Sequence, residues 1–192
     1  MARPSHKDKL LLVGTGLVHE RGFNGTSVRD IVNAAGVPQG SFTNHFASKE
    51  QFGLEALEVY GRHIAEAGRQ TLLNDDLPPL KRLKAYFDGY IRFSAETGYK
   101  RGCMFGNTAA EATDDSEALR VRVGEMLDEV AASIEYCLKA AVKAGELPAG
   151  TRAKDVAAHL VASFQGAVLM AKVQRSGAPL ERFRRHVLAG LG

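Results

Sequence analysis

Apolar residues recur at helical spacing along almost the whole chain, and no segment sustains the period-two alternation of a half-buried strand. Leu10, Val13, Gly14, Leu17 and Val18 keep the rhythm of one buried helical face. "ERGFNGTS" ends that helix, with Gly22 and Gly25 supplying permissive backbone. Ser27 and Asp30 have capping-box spacing, after which Val28, Ile31, Val32 and Ala35 repeat the buried face. Gly36 breaks the pattern, and Pro38 suits the first turn of a third, very short helix anchored by Phe42 and Phe46. "SKEQ" at 48–51 is another capping box and opens a helix running toward Leu73. "NDDLPP" reads as a linker, and beyond it helices are expected near 80–97, 103–112, 116–145, 153–175 and 180–189. The fold class is all-α: an N-terminal three-helix helix-turn-helix domain over 1–50, then a C-terminal helical ligand-binding and dimerisation domain over 51–192.

"TSVRDIVNAAGVPQGSFTNHF" sets two short helices around an "AGVPQG" turn with a longer helix on each side, the layout of a helix-turn-helix. Its second half, "VPQGSFTNHF", carries no formal charge, only amides, hydroxyls and a histidine. Such a surface suits a helix lying in the DNA major groove, where Gln and Asn bond adenine and Ser and Thr bond several bases. Gly40 allows close approach to the groove. Phosphate contacts then fall to Arg29, Lys49 and the helix N-termini at Thr26 and Ser48. An αα-hairpin inside a plain helical bundle would show the same spacing.

Several other classes are disfavoured by the same residues. A net charge of +3 is too small for a generic polyanion binder and compatible with one DNA-binding patch. Cys103 and Cys137 fit neither a metal spacing nor a disulfide framework, so no metal and no cofactor is expected, and a reducing cytoplasm is the natural setting. "MARPSHKDK" leads only into "LLLV" without a cleavage-site pattern, which argues against a signal peptide. "VAAHLVASFQGAVLMAKV" is interrupted by His159, Gln165 and Lys172, which argues against a membrane span. "GTG" at 14–16 sits in a helix with no strand before it and reads as packing. His19 and Glu20 lack the second histidine of a zinc-protease helix, no serine or cysteine has a spaced base, and His63, His159 and His186 are scattered. No catalytic residue is expected, and the chain does not read as an enzyme.

"LLLVGTGLVHERGFNGTSVRDIVNAAGVPQGSFTNHFASKEQF" resembles the N-terminal domain of TetR-type transcriptional regulators, closely over residues 7–55. The resemblance implies DNA contacts at Thr26, Arg29, Gln39, Ser41, Thr43, Asn44, His45 and Lys49. It also implies a homodimer whose last two helices pair with those of a second copy in a four-helix bundle, and a ligand pocket within the C-terminal helices. Thr43 departs from the family, which usually has tyrosine there packed on the sugar-phosphate backbone. Threonine keeps a hydroxyl and loses reach, so operator preference or affinity is expected to differ. Val18 stands where the family often has a larger phenylalanine.

The C-terminal half is read partly on its own residues. The 156–173 run is apolar nearly all round, so it needs cover on both sides, and a partner subunit is the expected second cover. Ala158, Ala162 and Gly166 would permit close helix approach; an interior helix of one larger bundle gives the same pattern. Leu160, Phe164, Val168, Phe183 and Val187 are the expected interface residues. Tyr86, Phe87, Tyr90 and Phe93 with Phe105 are expected to line the pocket, with Asn107 and Glu111 as its orienting polar groups. An aromatic core without a cavity would look identical.

"GYKRGCMFGNTAAE" at 98–111 places Lys100 and Arg101 just before Cys103 and starts a helix beside it, and both features favour thiolate. The stretch resembles a NemR-like and AcuR-like subgroup that responds to reactive or small organic molecules. Cys103 as a small buried hydrophobe, with Asn107 as a helix cap or polar core residue, is the competing reading. Cys137, on an apolar helical face, is expected to be inert. The chain therefore reads as a cytoplasmic, homodimeric, ligand-responsive repressor that binds a palindromic DNA operator and leaves it on binding a small molecule, an electrophile among the candidates. The alternatives are an activator with the same domains, or a helical ligand-binding protein or enzyme without DNA binding.

Overall fold

Each of the first two helices is opened by a reciprocal cap. Ser5 and Asp8 form one at the start of α1 (His6–Arg21), at the capping-box spacing of "SHKD". Ser27 and Asp30 form the expected one at α2 (Val28–Ala35), with Asp30 accepting the Ser27 amide at 2.9 Å. The Ser27 hydroxyl and amide beside it hold the Asp30 carboxyl below its ordinary range. Gly36 then closes α2 in the left-handed region, φ 62°, where a side chain is disfavoured. The computed structural model describes residues 5–112, 116–188 and 190. It continues with α3 (Gly40–Thr43), α4 (Lys49–Gln70), α5 (Pro79–Glu96), α6 (Met104–Glu111), α7 (Glu117–Lys143), α8 (Ala153–Gln174) and α9 (Ala178–Phe183). A π-helical turn, Arg184–Leu188, replaces the end of the last expected helix. No strand occurs among the described residues, as an all-α fold requires.

The chain divides into two compact units, Met1–Arg62 with Cys103–Gly124, and His63–Gly102 with Glu125–Gly192. The helix-turn-helix helices thus share a core with α6 and the start of α7. In that first unit Leu10, Val18, Ile31, Val32, Phe42, Phe46, Phe52 and Leu57 are buried, joined by Met104, Phe105 and Leu119. Gly14 has a packing role, since a Cβ there would lie 2.5 Å from the Phe52 ring. The "GTG" stretch is therefore a helix-packing feature.

The second unit is organised by rings. Phe87 packs on Phe164 at 4.8 Å and on Phe183 at 5.0 Å, and Phe164 meets Phe183 at 5.1 Å. Tyr90 stands edge-on to Phe164 at 5.0 Å. The Asp-rich linker is tied down in this unit: buried Arg82 pairs with Asp75, and Arg82 Nε donates to the Leu77 carbonyl. The Tyr136 hydroxyl also donates to Asp75 at 2.9 Å. These partners hold the Asp75 carboxyl below its usual range, Tyr136 first and Arg82 second. Among the described helices α8 is apolar and long enough to cross a membrane by length and composition. Its Leu160, Phe164, Val168 and Ala171 stripe is nevertheless buried inside its own unit.

Candidate nucleic-acid interface

α3 is too short to be held by its own backbone bonds. It is fixed instead by Phe42 and Phe46, whose rings lie 5.1 Å apart and meet Phe52 of α4 at 5.6 and 5.2 Å. With those rings pointing inward, Gln39, Gly40, Thr43, Asn44 and His45 are left exposed. Gly40 has no positive φ, and a Cβ at that position would meet nothing within 4 Å. Neither backbone geometry nor internal packing demands a glycine there.

Arg29 is exposed on α2, while Ser48 caps α4 by accepting the Gln51 amide at 3.0 Å. The returning side chain of this second box, Gln51 Oε1, takes the amide of Ala47 rather than that of Ser48. Lys49 is half-buried, with its ammonium 4.5 Å from the Phe23 ring centre. Burial pulls this ammonium below its ordinary range, and the nearby Glu111 carboxylate works in the opposite direction.

Two of the expected DNA-contacting residues are placed elsewhere. Thr26 is wholly buried, and its hydroxyl donates to the Gly22 carbonyl at 2.7 Å, so the exposed residue at the start of α2 is Ser27. Ser41 is buried too, with its hydroxyl 3.1 Å from His6 Nδ1, where it fastens α3 to the beginning of α1. Thr43 is exposed, but its hydroxyl donates to the Gly40 carbonyl at 3.1 Å and so is engaged within its own helix. Nothing in the sequence announced the contact across 35 residues between His6 and Ser41.

The expected ligand residues fall in both units. Tyr86, Phe87, Tyr90 and Phe93 belong to the second, where Phe87 is a core residue of the ring cluster and Phe93 is exposed. Cys103, Phe105, Asn107 and Glu111 belong to the first. There Phe105 stacks edge-on to Tyr60 at 5.0 Å, and the Tyr60 hydroxyl donates toward Cys103 Sγ at 3.9 Å. Cys103 is buried at the N-cap of α6 and gives no side-chain cap bond. Asn107 and Glu111, expected as pocket groups, make contacts with α1 and its following loop. Asn107 Nδ2 donates to the His19 carbonyl at 3.4 Å, and Glu111 accepts the Asn24 amide at 2.7 Å. Cys137 is buried, its thiol donates to the Pro79 carbonyl at 3.1 Å, and burial pushes its pKa up to about 11.

The expected interface residues also need correction. Leu160, Phe164, Val168 and Phe183 fill the core of their own unit, and the side chain of Val187 lies outside the described residues. The opposite side of α8 carries the uncovered apolar surface. Leu169 is 60% exposed, Met170 46% and Val173 71%, continuing from exposed Ala158, Ala162 and Gly166. A sequence apolar on all sides could not say which stripe faced inward.

Residues 10–56 match the family described as bacterial regulatory proteins, tetR family, and 79–187 match the tetracyclin repressor-like C-terminal domain. The chain belongs to the tetR family. It is 34% identical over 191 residues to the HTH-type transcriptional repressor DhaR of Mycobacterium sp. (strain GP1), covering 100% of this chain and 94% of DhaR. It is 33% identical to the transcriptional regulator AcuR of Cereibacter sphaeroides, over 91% of this chain and 80% of AcuR. A crystal structure of the regulatory protein TetR from Rhodobacter sphaeroides matches with a TM-score of 0.91 at 29% identity, covering 97% of this chain and 99% of that one. In this TetR-family chain α2 and α3 are the helix-turn-helix, and the exposed residues of α3 are uncharged.

Proposed function

We propose that this TetR-family protein is a ligand-responsive transcriptional repressor that binds a palindromic operator as a homodimer. The observation that carries the reading is the tip of α3: Gln39, Gly40, Thr43, Asn44 and His45 project from a helix clamped by buried rings, and no internal requirement explains Gly40. Gln39 and Asn44 supply the amides that read adenine, and His45 adds a further polar group. Arg29, Ser27, Ser48 and Lys49 surround them as phosphate contacts that set orientation. The kinship with DhaR, named a transcriptional repressor, supports repression over activation.

Dimerisation uses the exposed α8 stripe from Ala158 to Val173. Its small residues admit a second helix closely, and Leu169, Met170 and Val173 supply the apolar area that association would bury. The inducer is a small organic molecule bound by the C-terminal helices, with Tyr86, Tyr90 and Phe93 of the second unit as its aromatic contacts. Release follows when the inducer binds the non-operator conformation more tightly, because only differential affinity shifts the equilibrium. The site of action is the cytoplasm, where a bacterial operator is found.

Selection of bound sequences from random duplexes tests the proposal. The expected product is a palindrome whose half-sites lie about one helical turn, or a multiple, apart. Recovery of no preferred sequence from the purified protein would exclude operator recognition and favour a helical ligand-binding protein.

A further inference from the structure

Glu111 and Lys49 approach the same three loop residues from two sides. The Glu111 carboxylate accepts the Asn24 backbone amide at 2.7 Å, and the Asn24 side chain donates back to the Glu111 carbonyl at 3.2 Å. Gly22 leaves room for this contact: a Cβ there would lie 2.0 Å from Glu111 Oε1. Between Gly22 and Asn24, the Phe23 ring carries the Lys49 ammonium. α4 supports that ring, since a Cβ on Gly53 would meet Phe23 Cε2 at 2.6 Å. A carboxylate from α6 and an ammonium from α4 therefore bracket the loop that leads into the Ser27 cap of α2.

We propose that Glu111 is a positioning residue for DNA binding, whose charge holds Lys49 on the Phe23 ring and competes with a DNA phosphate for it. The proposal rests on the DNA-reading function above and adds a means of regulating it. A phosphate that takes up Lys49 must draw the ammonium off an aromatic face and away from a carboxylate, and both losses oppose binding. Glu111 is also the charge that favours the Lys49 ammonium against its partial burial. Because α6 carries Glu111, a displacement of α6 changes the phosphate affinity of the unit while α3 keeps its shape. The reciprocal bonds to Asn24 fix where that charge sits.

Glu111→Gln keeps an oxygen acceptor for the Asn24 amide and removes the charge. The test titrates wild type, Glu111→Gln, Lys49→Ala and the double variant with two DNA probes over a range of NaCl concentrations, following fluorescence anisotropy. One probe is a duplex selected by the wild type from a random pool, and the other is a scrambled duplex of equal length. Glu111→Gln is expected to bind both about twofold to fivefold more tightly, the range of one exposed charge pair. Its salt slope should steepen by up to about 1, as the Lys49 phosphate contact that Glu111 restrains becomes complete, and the gain should vanish in the Lys49→Ala background. A clasp with only a structural role would alter the melting temperature and leave the slope alone. Unchanged or weaker binding with the wild-type slope overturns the proposal, as does a gain that survives Lys49→Ala. If wild type binds no duplex at all, the DNA-reading function itself fails and the proposal falls with it, a result distinct from wild-type binding unaffected by Glu111→Gln.

Discussion

Side chains that look alike in the sequence have divided roles in the folded chain, and substitutions separate them. Thr26 and Gln39 are both expected from the sequence to contact DNA, yet the Thr26 hydroxyl is buried on the Gly22 carbonyl and Gln39 is exposed. Thr26→Val should cost about 1–3 kcal/mol of stability in urea unfolding, the penalty of a buried acceptor left unpaired. Its base preference in a DNA selection should match wild type. Gly22→Ala should cost about 1–3 kcal/mol, because φ 87° with ψ 162° is a glycine-only region, and the new methyl also displaces Glu111. Cys137 gives a pH signature. Its thiol is raised from an ordinary 9.0 to about 11, so the unfolded chain loses that proton first as pH rises. The contribution is complete below about 9 and is lost between about 9 and about 11, so wild type should lose stability relative to Cys137→Ala across that window. The Ser27–Asp30 and Ser48–Gln51 caps were legible because capping is a rule of local spacing. The fates of Thr26, Ser41, Asn107 and Glu111 were not, because each is decided by a residue distant in sequence or by a turn whose path the sequence leaves open.

At the scale of elements, α5 to α8 lie close to where their apolar rhythm put them, and the difficulty is which face each turns inward. α5 announced its ring-bearing face through Leu83, Phe87 and Ile91, all buried. α8 is apolar on every side, so its rhythm could not distinguish the Leu160, Phe164 and Val168 stripe from the Leu169, Met170 and Val173 stripe. Paired substitutions use that distinction. Val173→Glu should convert a dimer to a folded monomer in sedimentation, with helical content retained in circular dichroism. Phe164→Glu should instead unfold the chain, since it would bury a charge among Phe87, Tyr90 and Phe183. A Val173→Glu protein that sediments as wild type would place the subunit interface elsewhere. The end of the last helix was also unreadable, because a π-helical turn leaves no distinct trace in a short apolar pattern.

For the whole molecule, the unit that holds α1, α2 and α3 also holds α6 and the start of α7. The reading helices thus share a core with Phe105 and Leu119, and the loop before α2 is bonded to Glu111. An effector that shifts α6 therefore acts directly on the DNA-reading unit. The central claim is that α3 reads bases in a groove, and one comparison decides it. Wild type and Gln39→Ala are titrated at fixed salt against the selected duplex, a set with single base-pair changes, and a scrambled duplex. The account predicts that Gln39→Ala costs about 1–3 kcal/mol on the selected duplex, loses discrimination at one base pair and binds scrambled DNA as wild type does. An equal loss on selected and scrambled DNA, with discrimination intact at every position, would contradict it.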